Sequence, residues 1–130
     1  MGKNLIQQAR GKGGPRYRAP SFKYKGQSKY ARQENKDMSG KIIDLIHCPG
    51  HSSPLARVEY VNGNVILMQA PEGIRIGDPV QMGNKIDVQK GNIMPLKNMP
   101  EGTAIYNIEA SPGDGGKFVR SSGGFAKVVT

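Results

Sequence analysis

The chain has 130 residues, and its 19 Lys and Arg against 10 Asp and Glu give a formal net charge of +9. No apolar run approaches the ~20 residues that a membrane-spanning helix needs, and the N-terminus lacks the apolar stretch of a secretory signal. A single cysteine, Cys48, excludes a disulfide within the chain, and 18 Gly with 9 Pro favour short strands over long helices.

The positive charge is concentrated in residues 1–36, a segment that we call the arm. The arm carries ten Lys and Arg against one acid, Glu34, whereas residues 37–130 carry nine charges of each sign. The glycines and proline of residues 11–15, and Pro20, interrupt any helix, and the few apolar residues follow no helical or strand period. Because so little apolar area cannot offset the entropy of ordering, the arm is predicted to be disordered until it meets a polyanion.

The aromatic residues of the arm favour nucleic acid as that polyanion. Four of the chain's eight aromatics lie there, each within two positions of a cation; they are Tyr17, Phe22, Tyr24 and Tyr30. Such rings stack on unpaired bases while the cations contact phosphates, whereas membrane binding would need an apolar face that the arm lacks. The alternative is a solvated tail that only aids solubility. The arm residues predicted to bind RNA are Arg10, Lys12, Arg16, Tyr17, Arg18, Phe22, Lys23, Tyr24, Lys25, Lys29 and Arg32.

The neutral segment 37–110, which we call the body, is predicted to consist of short strands. Residues 41–47 are rich in β-branched side chains, and residues 55–61 alternate polar Arg57 and Glu59 with apolar neighbours. Asn62-Gly63 then predicts a hairpin to a strand over 64–70. Shorter runs at 74–78, 79–82 and 85–88 precede an alternating strand over 103–110. Five or six short strands predict an all-β fold, a small closed or nearly closed barrel.

The C-terminal segment combines a glycine-rich loop with a final apolar run. The loop over residues 111–117 lacks the spacing and the Ser or Thr of a nucleotide-binding P-loop. Its successive backbone N–H groups, beside Lys117 and Arg120, suit an RNA phosphate, and a plain flexible loop is the alternative. Residues 125–130 predict a strand with nothing after it to pair with, so either it pairs back onto the barrel or a second domain is missing.

No catalytic or metal site is predicted. His47, Cys48 and His51 supply three possible zinc ligands, but a structural site needs four, and adjacent residues of a strand point to opposite faces. Cys48 also lacks a recognisable orienting group for nucleophilic catalysis, and the acids are scattered singly. The sequence therefore predicts neither an enzyme nor a cofactor.

Several stretches resemble the large-subunit ribosomal protein 2 family in its archaeal and eukaryotic form. The matching segments are residues 18–21 and 24–26, Ile46-His47 with Pro49, residues 70–73, Gly77-Asp78, Gly91-Asn92, Pro95-Leu96, residues 99–103, and above all residues 111–118 and 120–123. The resemblance implies an oligonucleotide/oligosaccharide-binding (OB) type barrel over 37–110. It also implies that residues 111–130 begin an SH3-like domain, truncated here because family members are about twice as long.

The resemblance also implies function and partners. It implies a structural protein of the large ribosomal subunit, located on cytoplasmic ribosomes, that binds large-subunit ribosomal RNA and neighbouring ribosomal proteins as a monomer. No membrane and no small-molecule substrate are expected. By motif match, the loop residues that would contact RNA are Gly113, Gly115, Gly116, Lys117, Arg120 and Ser121. The alternative function is a free-standing OB-type single-stranded RNA-binding protein or translation factor, although the body has few aromatics for base stacking.

Overall fold

The computed structural model describes residues 2–31 and 36–130. It confirms the all-β expectation, with one short helix added in the arm. The elements are α1 (Ile6–Gly11), β1 (Met38–Ile46), β2 (Leu55–Tyr60), β3 (Val65–Gln69), β4 (Pro79–Met82), β5 (Ala104–Ile105) and β6 (Ala126–Lys127). Within the described ranges, no helix is both long enough and apolar enough to cross a membrane.

Strands β1 to β4 form one antiparallel sheet in the order β3-β2-β1-β4. The predicted hairpin is confirmed: β2 pairs with β3, and the turn closes through the N–H of Gly63 donating to the carbonyl of Tyr60 at 2.9 Å. Gly63 has φ +85°, a left-handed conformation that a glycine adopts without a steric penalty.

The alternation in β2 sets the two faces of this sheet. Arg57 and Glu59 are exposed, whereas Ala56, Val58 and Tyr60 are buried, as their spacing predicts. The buried face packs into one core, whose members are Ile42, Ala56, Val58, Tyr60, Met68, Ile74, Val80 and Met82. On the exposed face Glu59 lies opposite Lys41, so opposite charges face each other across β1 and β2.

The four strands form an open sheet, since β3 and β4 lie at its two edges and do not pair with each other. A register shift between Ile42 and Asp44 bulges β1, and a tight turn over residues 75–78 contacts β1 beside this bulge, with the Ile42 N–H donating to the Asp78 carbonyl at 3.0 Å. The predicted strand over 74–78 is therefore a turn. Residues 85–88 likewise form no strand, although β4 was predicted at its observed position.

Loops cover both free edges of the open sheet. On the β4 side the Ile93 N–H donates to the Gln81 carbonyl at 2.9 Å, and the Gly83 N–H donates to the Ile93 carbonyl at 3.1 Å. On the β3 side the Lys29 N–H, from the arm, donates to the Leu67 carbonyl at 3.0 Å. These bonds occupy backbone groups that would otherwise present a template for pairing with another chain.

The C-terminal part forms a second, two-stranded sheet. Strand β5 pairs antiparallel with β6, and Ile108 forms an isolated antiparallel bridge with Phe118. The final apolar run pairs with β5 and not with the four-stranded sheet. Strands β5 and β6 are each two residues long, shorter than the strands predicted over 103–110 and 125–130, and Ile108 adds only an isolated bridge.

Candidate nucleic-acid interface

The outer arm, residues 2–23, places its cations and rings in solvent. Every residue there except Gly13 and Gly14 is exposed, including Phe22 at 85%. Helix α1, which the sequence did not predict, contains the good helix formers Gln and Ala, but it buries no residue, so no packing stabilises it. Cations lie over two of the rings, with Arg10 5.8 Å from the Tyr17 centroid and Lys23 5.6 Å from the Phe22 centroid.

The predicted arm residues from Arg10 to Lys29 are therefore accessible to a polyanion. All ten of them are exposed: Arg10, Lys12, Arg16, Tyr17, Arg18, Phe22, Lys23, Tyr24, Lys25 and Lys29. The eleventh, Arg32, lies outside the described residues. This arrangement lets a cation and a ring address a phosphate and a base at adjacent positions of one strand.

The inner end of the arm, residues 24–31, packs against the rest of the protein, and we call it the strap. Ser28 is 5% exposed, and the Tyr30 hydroxyl donates a hydrogen bond to the Asn107 carbonyl. Burial, followed by the charge of Glu109, raises the pKa of Tyr30 far above its usual value, so this hydroxyl stays a donor. Tyr30 is therefore an anchor, and its ring is not free to stack on a base as the sequence interpretation expected.

Cys48 lies beneath the strap. Its side chain has no accessible surface, and the Lys25 N–H donates to its Sγ at 3.5 Å. This bond from Lys25 lowers the pKa of the thiol. The neighbouring Tyr24 ring covers Gly50, where an added Cβ would meet ring atoms at 3.3 Å.

His51, the third of the potential zinc ligands, has a different environment. Its Nδ1 is buried without a partner, and burial followed by the charge of Arg120 lowers its pKa. Among the residues that the structure describes, no three His, Cys, Asp or Glu side chains come together as a metal site.

The glycine-rich loop uses its backbone N–H groups internally. Glu109 accepts from the N–H groups of Gly113 and Gly115 at 3.1 and 3.0 Å. Asp114 accepts from Ala110 and Ser111, both at 2.9 Å, and from Gly116 at 3.0 Å. The concave N–H run predicted to hold an RNA phosphate therefore already holds two carboxylates of this chain.

The three predicted glycines consequently shape the loop. Gly113, Gly115 and Gly116 all have positive φ, at 83°, 87° and 101°, and the last two are buried. Glycine adopts this conformation without the clash that a Cβ causes. The loop is thus a preformed turn that presents side chains, not a bare backbone cradle.

The remaining predicted loop residues differ in accessibility. Lys117 and Ser121 are exposed, whereas Arg120 is half-buried, and its Nε is buried without a hydrogen-bond partner. Its Nη2 donates to the Ser28 carbonyl in the strap at 3.5 Å. Arg120 therefore contacts the arm, a role that its position in the sequence did not reveal.

We expect Asp114→Asn to lower stability near neutral pH and to weaken its acid dependence. The Ser111 N–H, followed by those of Gly116 and Ala110, holds the pKa of Asp114 below its usual value. Because the folded pKa is the lower one, the carboxylate stabilises the fold above its unfolded pKa of about 3.9, and this contribution is lost as pH falls through the folded pKa. Thermal unfolding midpoints between pH 2 and 7 measure the effect. Asp87→Asn, at an exposed acid outside the loop, is the control, and equal pH profiles for both variants would contradict the assignment.

Two features of this surface were missed by the sequence interpretation. Glu109 lies four residues before Gly113, at a spacing that carries no known loop signature, and its role depends on how the loop folds back. The strap contact joins Tyr30 to Asn107 across 77 positions. At the other end of this contact, Asn107 is buried and has φ +51°, and neither property could be read from the sequence.

Two family models match this chain, one over each part. The family model described as the RNA binding N-terminal domain of Ribosomal Proteins L2 matches residues 2–82, and the model for the C-terminal domain of the same proteins matches residues 89–130. These matches run through the sheet, the arm and the glycine-rich loop.

Individual relatives are similar along the whole chain. Large ribosomal subunit protein uL2 of Methanococcus aeolicus is 51% identical over 134 residues, covering 100% of this chain and 56% of that protein. The proteins of the same name from Methanococcus vannielii and Methanothermobacter thermautotrophicus are each 47% identical, over 99% and 100% of this chain. The chain thus spans about half the length of these relatives. Because the N-terminal family model alone matches more than half of its residues, the protein belongs to the family of ribosomal proteins L2.

Proposed function

We propose that this protein is a structural constituent of the large ribosomal subunit that binds large-subunit ribosomal RNA through its arm. The family to which it belongs is one of structural RNA-binding proteins and not of enzymes. Its partners are then ribosomal RNA and neighbouring ribosomal proteins, and its place is the ribosome, which it enters as a monomer. The observation that carries the proposal is the exposed array of cations and rings over residues 10–29.

The charge distribution supports a division of labour. The outer arm supplies phosphate affinity, which does not depend on base sequence, while the neutral sheet supplies a rigid base that sets the position of the arm. The division of the chain at residues 36 and 110 stays a prediction, although β5 and β6 pair across the second of these positions.

The glycine-rich loop contributes through side chains. Since Glu109 and Asp114 occupy its N–H groups, Lys117 and Ser121 are the loop groups that we propose to contact RNA. Gly113, Gly115 and Gly116 then act by allowing the turn that exposes Lys117.

The four-stranded sheet does not support the alternative function, a free-standing single-stranded RNA-binding protein. Such proteins stack bases on aromatic side chains of their strands. Here Tyr60 is only 3% exposed, and Tyr106 donates its hydroxyl to the Gln69 carbonyl at 3.3 Å in a half-buried position. Exposed rings are found on Phe118 and Phe125, outside the four-stranded sheet.

Salt dependence tests the proposal. If about six of the ten arm cations contact phosphates, the affinity for a large-subunit ribosomal RNA transcript should fall with salt at a log–log slope of roughly −4 to −5. Filter binding of the full chain between 50 and 300 mM KCl measures this slope. A slope near −1 would show that the arm is incidental charge.

A further inference from the structure

We propose that the strap fixes the point at which the arm leaves the body and couples the arm to the glycine-rich loop, with Tyr30 and Arg120 as positioning residues. This inference rests on the proposed function, since it assigns to the strap the task of making two RNA-binding parts act together. Neither residue needs to contact RNA for this purpose.

Outside the glycine-rich loop, the strap is held at two places, at Leu67 on the edge of β3 and at Cys48. The Lys29 N–H binds the outer edge of β3 through the Leu67 carbonyl. The Lys25 N–H reaches Cys48 Sγ, at the loop that follows β1. Gly26 fits against the same edge strand, where an added Cβ would lie 3.1 Å from a methyl group of Leu67. These contacts fix the backbone of residues 25–29 along one side of the sheet.

The same segment also touches the glycine-rich loop. Tyr30 donates to the carbonyl of Asn107, whose neighbour across the loop is Gly116. Arg120 donates to the Ser28 carbonyl at 3.5 Å, and a Cβ at Gly115 would lie 3.3 Å from Lys29 Cγ. The cation Lys29 of the strap therefore lies directly on the loop that carries Lys117.

Coupling follows from this geometry. When two binding elements are held in a fixed arrangement, binding of the first raises the effective concentration of the second, and avidity can gain about 10² to 10⁴. Releasing the strap leaves every exposed cation and ring in the chain but lets the arm sample many directions. RNA that spans both parts then loses affinity, whereas a short oligonucleotide that reaches only one part does not.

Tyr30→Ala in the full chain tests the inference, with Cys48 as a built-in reporter. The strap covers this single thiol, so its alkylation by N-ethylmaleimide should accelerate roughly tenfold when the anchor is removed. Tyr106→Phe is the matched control, because it removes a tyrosine hydroxyl bond to a backbone carbonyl outside the strap, and it should leave alkylation unchanged. Tyr30→Phe, with a smaller expected acceleration of about threefold, replaces Tyr30→Ala if that variant does not fold.

RNA binding supplies the second readout. We expect Tyr30→Ala to bind a long ribosomal RNA transcript about tenfold more weakly than the natural chain, with unchanged affinity for a ten-nucleotide single strand. If the natural chain binds with a steep salt slope but the variant binds the transcript equally well, or if Cys48 alkylation does not change, the coupling is refuted. A shallow slope for the natural chain would instead refute the proposed function itself, so the two failures are distinguishable.

Discussion

Deleting residues 1–23 is expected to lower the affinity for large-subunit ribosomal RNA by about two to three orders of magnitude at 0.1 M salt and to reduce the salt slope toward −1 or −2. The deletion removes six cations and two exposed rings but leaves the strap, so the sheet keeps its covered β3 edge. Retained folding is checked by circular dichroism and by slow alkylation of Cys48.

The matched control for this deletion replaces six exposed cations of the body and C-terminal part by serine. The replaced residues are Lys41, Arg57, Lys85, Lys90, Lys97 and Lys127. Because residues 37–130 carry as many acids as cations, we expect a loss of affinity below about tenfold. An equal loss in both variants would mean that total charge matters and that the arm has no special place.

Gly116→Ala is expected to destabilise the protein by about 3 kcal/mol. Gly116 has φ +101°, which alone costs an alanine about 1 to 2 kcal/mol. Its Cβ would also lie 2.7 Å from the Cγ of Asn107, a buried side chain at 1% exposure that has little room to move. Displacing Asn107 also disturbs the carbonyl that accepts from Tyr30, so Cys48 alkylation should accelerate in parallel.

Gly113→Ala separates these two causes. Gly113 has φ +83°, but an added Cβ there would meet no atom within 4 Å. It should therefore cost only the conformational term, about 1 to 2 kcal/mol, and leave Cys48 alkylation unchanged. Urea denaturation of both variants measures the difference, and equal losses of stability would show that the Asn107 contact is not the cause.

Prediction from sequence succeeded where the signal is local. The Asn62-Gly63 turn and the alternation of β2 identify a hairpin and its buried face within about fifteen residues, and both were confirmed. It failed at residues 74–78, where an apolar run of strand-like composition forms a turn because Gly77 adopts φ +95° and bonds to the carbonyl of Ile42 at the β1 bulge. The bulge lies in β1, so the sequence of residues 74–78 gives no sign of this contact.

The candidate site divides in the same way. Exposure of the outer arm could be predicted because a segment with six cations, no acid and few apolar residues has little to bury. The hydrogen-bond partners of the loop N–H groups could not be predicted, because a backbone N–H that suits a phosphate equally suits a carboxylate of the same chain. The fold brings Glu109 and Asp114 to these groups.

The sequence by itself determined the separation of a cationic arm from a neutral all-β body, since charge and hydrophobic period are properties of neighbouring residues. Only the tertiary structure decided that Tyr30 anchors the arm, that Arg120 holds the strap, and that the glycine-rich loop is filled from within. In each of these contacts a donor that loses water on burial bonds to an acceptor that the fold places beside it. The pairing of donor and acceptor is therefore set by the packing of segments up to 92 positions apart.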